Sequence, residues 1–199
     1  EKQGLTVSAA PSLSSLGSNY SIANAAASPT GEYFISYYDF SVSDVQQYAV
    51  ISAEGQVSTL SFNQEIFVYD YTSDGRLFAC GYAKQGCGIY EIDIQRQKTQ
   101  LLVSFENNVQ NLDVVGDYVI AFSEKEICFY DCKNETVTET PEAIQEFMNE
   151  QGYAESVRDI CSGEDGSFYI LSDKGLYRYV MGGNMVEQLI DGYSCRIGN

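Results

Sequence analysis

One short theme recurs four times along the chain: a turn containing glycine, then a strand-forming run of aromatic and β-branched residues. It reads Pro29-Thr30-Gly31 before Tyr33-Phe34-Ile35, Ser73-Asp74-Gly75 before Leu77-Phe78-Ala79, Val115-Gly116-Asp117 before Tyr118-Val119-Ile120, and Asp165-Gly166-Ser167 before Phe168-Tyr169-Ile170. Glycine supplies the positive φ that tight hairpins require. A second run follows each time: Gln47 to Ile51, Gly88 to Asp93, Glu126 to Asp131 and Gly175 to Val180. These runs carry side chains with period two and β-favouring types, as strands do. A polar turn and a further strand, such as Gln56 to Ser61 or Lys98 to Val103, complete a four-stranded meander. The anchor glycines recur about every 40 to 50 residues, the spacing of four-stranded propeller blades.

The fold class expected is therefore all-β: a β-propeller of about four four-stranded blades plus the start of a fifth, possible as a fragment of a larger ring, with one short helical insertion. An extended segment over residues 1–19 would supply a closing strand from Leu5 to Ala9. The blades span about 20–62, 63–105, 106–153 and 154–192. Residues 193–199, with Tyr193 to Ile197, open a further blade, which favours a natural protein that continues. A generic antiparallel sandwich is the competing reading, but it does not demand a fixed period. The run Ser21 to Ala27 is almost all small residues, as suits an inner strand near an axis, whereas Phe67 to Tyr71 breaks that rule.

Composition narrows the chemistry. With 28 acidic side chains against 11 basic ones the formal charge is −17, so nucleic acid and anionic membrane surfaces are not expected partners. There is no histidine, which removes Ser-His-Asp and Cys-His nucleophiles and every His-containing metal site. No cofactor or metal is expected: the Asp-Gly turns lack calcium-ligand spacing, the glycines from Gly81 to Gly88 do not open a helix, and no C-x2-C pair exists for zinc. Of the six cysteines, Cys80 and Cys87 face each other across a hairpin and are the one candidate disulfide. Asn134-Glu135-Thr136 matches a glycosylation acceptor without further support.

Decoration is expected on one rim, which carries the loop from Ser36 to Asp44 and a helix. That helix has Thr140 as N-cap, Pro141 at its first position, Ile144, Phe147 and Met148 on its apolar side, and Gly152 as terminator. Its apolar stripe suits packing on the blade edge. Tyr37, Tyr38, Phe40 and Tyr82 are the candidate binding surface, stacking a sugar or peptide. The expected role is non-catalytic recognition of a protein, peptide or glycan. The alternatives are a carbohydrate hydrolase or lyase using carboxylates such as Asp39 and Asp44, and a purely structural spacer.

The segment Tyr169 to Tyr179, continuing through Val186 to Gly192, resembles a blade of exported lipoproteins of gut Firmicutes, in which a propeller-like region precedes a solute-binding domain. The start at Glu1 rather than Met suggests a leader removed before it, and the Ser/Ala-rich stretch from Ser8 to Ala27 suits a tether, so an extracellular or cell-surface location is expected, as the resemblance also implies. No direct membrane insertion is expected, because the sequence has no run of about 18 apolar residues. The resemblance implies a downstream solute-binding domain in the parent protein. It transfers no ligand residue, and the chain has no lipobox cysteine near Glu1.

Overall fold

Runs such as Tyr118-Val119-Ile120-Ala121-Phe122 send alternate side chains to opposite faces of an extended backbone, and in the computed structural model each becomes a strand of a small antiparallel sheet. Residues 13–83, 86–106, 108–123, 126–151, 157–163 and 165–192 are described. The first sheet comprises β1 (Tyr20–Ala27), β2 (Tyr33–Asp39), β3 (Gln46–Ile51) and β4 (Val57–Leu60), and the second comprises β5 (Glu65–Tyr71), β6 (Leu77–Ala83), β7 (Gly86–Asp93) and β8 (Lys98–Phe105). The third is β9 (Val109–Val115), β10 (Tyr118–Ser123), β11 (Ile127–Asp131) and β12 (Thr136–Thr138), and the fourth is β13 (Val157–Ser162), β14 (Ser167–Ser172), β15 (Gly175–Val180) and β16 (Glu187–Asp191). Strand order follows the chain in all four sheets, so each is a simple meander. The first sheet belongs to a compact unit that ends at Ser61, and the other three to a unit that begins at Phe62.

The repeat read from sequence has a backbone counterpart. In every sheet the first strand carries one extra residue opposite the second strand: Ala23, Phe67, Gln110 and Arg158. Such a bulge bends and twists the strand locally. Counting from it places Phe34, Phe78, Ile120 and Tyr169 at one equivalent position, and Ser36, Cys80, Phe122 and Leu171 at another. The anchor glycines Gly31, Gly75, Gly116 and Gly166 all have positive φ, between 60° and 88°.

Within the second unit, the third sheet is apolar on both faces. Val119, Ala121, Cys128 and Tyr130 pack with Phe78, Cys80 and Ile89 of the second sheet. Ile120, Phe122 and Phe129 pack with Phe168, Ile170 and Tyr179 of the fourth. Two separate interiors on opposite faces of one sheet make three layers, which excludes a two-layer sandwich for this unit. Arg76 fastens one boundary: its guanidinium donates to Glu91 at 2.7 and 3.0 Å and to the Cys132 carbonyl at 2.7 Å, and lies 5.0 Å over the Phe78 ring.

Between β12 and β13 stands the helix α1 (Glu142–Gln151). Ile144, Phe147 and Met148 join the core between the third and fourth sheets, with the Phe147 ring edge-on to Tyr177 at 4.8 Å. Thr140 is not the side-chain cap expected: its hydroxyl donates to the Ile127 carbonyl at 3.2 Å, and the Pro141 carbonyl takes the Ile144 and Gln145 N–H groups. In the first unit, Leu13 and Leu16 of a single 3-10 turn (Ser14–Leu16) cover Ile35, Tyr37, Ala49 and Ile51. The Ser/Ala-rich tether expected up to Ala27 gives way to strand β1 from Tyr20. Leu5 to Ala9, Gly152 and Tyr193 to Ile197 lie outside the described residues. No helix among the described residues is long and apolar enough to cross a membrane.

Phe168, fully buried between Phe129 and Tyr179, tests the layered core. Phe168→Ala is expected to cost about 3–5 kcal/mol in urea unfolding, whereas Val42→Ala, at an exposed loop position, leaves the midpoint unchanged.

Candidate functional site

The connection between β2 and β3 is shorter than sequence suggested, because β2 runs on to Asp39 and only residues 40–45 form the loop. Asp39 organises it. Its backbone carbonyl accepts the Val42 and Ser43 N–H groups at 3.0 Å, and Oδ1 accepts the Ser41 N–H at 3.0 Å together with the Ser41 hydroxyl. Gly17, at φ 121°, runs so close that a Cβ there would collide with the Asp39 carboxylate. Asp39 is thus a buried turn former, while Asp44 stays exposed. Held this way, Phe40, Val42 and Val45 are 55%, 77% and 65% exposed. The Phe40 ring stacks on Tyr38 with centroids 5.9 Å apart and planes 10° from parallel.

Tyr37 does not belong to this surface. Strand alternation turns it to the opposite face from Tyr38, where it is buried with Ile35 and donates its phenol to Gln47 Oε1 at 3.1 Å. Burial, and next the Asp39 charge, raise its pKa. Tyr82 occupies the position equivalent to Tyr38 on the second sheet, partly exposed and tilted against Phe67 with centroids 5.2 Å apart. Of the four expected residues, Tyr38 and Phe40 stack in the first unit, Tyr37 lies in the core of that unit, and Tyr82 belongs to the second unit.

The expected Cys80–Cys87 bridge is also corrected. Cys80 sits opposite Ile89 and Cys87 opposite Tyr82, a diagonal relation that puts the two about 7–8 Å apart, beyond disulfide reach. Both are buried free thiols; the Cys87 sulfur accepts the Val109 N–H at 3.2 Å, and burial pushes the Cys80 pKa well up.

A polar row along the first strands of the second unit went unnoticed in the sequence. Asp70 on β5 accepts the Val114 N–H of β9 at 3.4 Å; Asp113 on β9 accepts the Ser162 N–H of β13, and Asn111 donates its amide to Asp159 of β13. Val114 and Ser162 are equivalent when counted from the bulges, so the same fastener joins successive sheets. Asp70 and Asp113 also meet side chain to side chain. Burial, then hydrogen bonding and charge from Asp70, raise the Asp113 pKa to about 7. The available signal was Asp and Asn at interior strand positions, where they are depleted. Among the described residues no group of three or more Asp, Glu or Cys is placed to hold a metal ion.

No protein-family model and no curated protein matches the sequence. Solved structures do match in fold. The extracellular domain of a putative hybrid two-component system from B. thetaiotaomicron superposes with TM-score 0.56 at 13% identity over 84% of this chain. PorZ, a surface component of the type-IX secretion system of Porphyromonas gingivalis, gives 0.57 at 14% over 89%. A puromycin-hydrolyzing peptidase of Mycobacterium tuberculosis gives 0.60 at 15% over 89%. The present chain spans 21%, 23% and 30% of the lengths of these three chains. At such identities the likeness is one of fold.

The Asp70–Asp113 contact sets a pH dependence. Asp113 keeps its proton in the folded protein to about pH 7, whereas an unfolded carboxyl releases it near about 3.9. Its contribution is therefore fully present below the unfolded value and is lost as pH rises through about 7. Asp113→Asn, a mimic of the neutral acid, is expected to be more stable than the parent at pH 8, by about 1 kcal/mol or roughly 3 °C in melting temperature. The gap should narrow toward pH 5 when thermal melts are compared.

Proposed function

We propose that this chain is a section of a β-propeller, with each sheet a blade, and that it works as a non-catalytic extracellular recognition module. The apolar loop over residues 40–45 meets a protein, peptide or glycan surface. The observation that carries this reading is the loop itself: Asp39 spends its carboxylate folding the turn, and the turn holds Phe40, Val42 and Val45 out in solvent with Tyr38 stacked behind. Apolar groups held outward by a built turn lower their free energy when a partner covers them. The parallel Tyr38 and Phe40 rings offer a flat face for a sugar ring or peptide side chain.

The layered packing of the second, third and fourth sheets supports the blade assignment. Two structures of similar fold are an extracellular domain and a bacterial surface component, which agrees with an extracellular setting. The resemblance to exported lipoproteins points the same way.

Binding to glycan arrays and to extracts of bacterial and host surface proteins tests the reading. The triple variant Phe40→Ser, Val42→Ser, Val45→Ser is expected to lose at least about tenfold in affinity with an unchanged melting temperature, because none of the three contributes to the core. A partner that binds parent and triple variant equally well refutes the loop as the contact. Turnover that vanishes with Asp44→Asn would establish the hydrolase alternative in its place.

A further inference from the structure

The sheets of the second unit repeat a rule about which face is covered. The third sheet has a leading face, packed on the second sheet, and a trailing face, packed on the fourth, and the equivalent faces of the other sheets take the same names. On the second sheet the trailing positions Phe78, Cys80 and Ile89 are buried against the third. On the third sheet the equivalent Ile120, Phe122 and Ile127 pack against the fourth. On the fourth sheet the same register positions are Tyr169, Leu171 and Leu176. There Leu171 is 46% exposed, against 0% for Cys80 and 1% for Phe122. Val180 and Ile190 add apolar positions to this face on β15 and β16, on either side of Arg178, whose guanidinium is paired with Asp165.

The polar fastener obeys the same rule. Asp70 and Asp113 each take an N–H from the first strand of the next sheet. Their equivalent on the fourth sheet, Cys161, pairs with Tyr169 on the trailing side and is an exposed free thiol.

From this we propose that the trailing face of the fourth sheet seats a fifth four-stranded sheet of the same repeat, carried by the same polypeptide. The occupant is defined by the interface it continues. It presents an apolar leading face, as Val119, Ala121 and Tyr130 do to the second sheet and Phe168, Ile170 and Tyr179 do to the third, with the first strand of the newcomer lying along Cys161. A second copy of this chain is a poorer fit, because the leading positions Ile35 and Tyr37 of its first sheet are already covered by Leu13 and Leu16. The proposal stands apart from the loop over residues 40–45 and does not depend on what that loop binds.

Cys161 reports occupancy directly. With Cys195→Ser in both proteins, the 199-residue chain and the polypeptide as its organism makes it are treated with a maleimide, and modification of the Cys161 peptide is timed by mass spectrometry. The proposal expects rapid labelling in the 199-residue chain and labelling at least about 100-fold slower in the natural polypeptide, as burial of a thiol produces. Leu171→Asp supplies a second readout: an unchanged melting temperature in the 199-residue chain, and a lowered one in the natural polypeptide. Equal labelling of Cys161 in both proteins overturns the proposal, as does a natural polypeptide that carries no further sheet of this repeat. A 199-residue chain that sediments as a dimer with Cys161 protected overturns it in favour of a second copy.

Discussion

Strands that are apolar on both faces need a layer on each side, and in this protein that requirement governs everything else. Val119 and Ala121 point one way and Ile120 and Phe122 the other, so β10 is stable only between two sheets. The short meander alone could not manage this, since four short strands bury little surface by themselves. Within the second unit, stacking in chain order meets the need, and α1, in the connection between the third and fourth sheets, adds Ile144, Phe147 and Met148 to the core between them.

Polar groups follow the same geometry. A bulge at the same place in every first strand re-aims the side chains after it. In the second unit Asp70, Asn111, Asp113 and Asp159 consequently span from sheet to sheet, where they satisfy backbone N–H groups and one another. Burial together with the neighbouring Asp70 carboxyl raises the Asp113 pKa to about 7. The first unit uses an acid differently. Asp39 closes a turn and so projects apolar residues that a loose loop would fold back on itself.

The strands, the glycine turns, the four-fold repeat and the helix were all legible in the chain, because hydrophobic period and turn chemistry are local. Phe147 and Met148 were readable as a packing stripe for the same reason. Tyr37 was misread because two adjacent tyrosines followed closely by Phe40 look like an exposed loop, whereas the strand continues through Asp39 and alternation sends the middle of Ser36-Tyr37-Tyr38 inward. Cys80 and Cys87 were misread because a hairpin permits several registers, and the observed one offsets them by two residues.

Amino-acid order alone therefore determined the unit of construction: an antiparallel four-stranded meander with glycine at its turns, repeated four times, in an acidic chain without histidine. Tertiary structure decided which residues meet across units of that repeat. Asp70 and Asp113 lie 43 residues apart and become neighbours only when one sheet is laid on the next, by the difference of their positions. Period and turn type act over a few residues and carry no information about such pairs. Contacts between layers depend on the stacking of whole sheets, which is where the polar row, the buried tyrosine and the open face of the fourth sheet were settled.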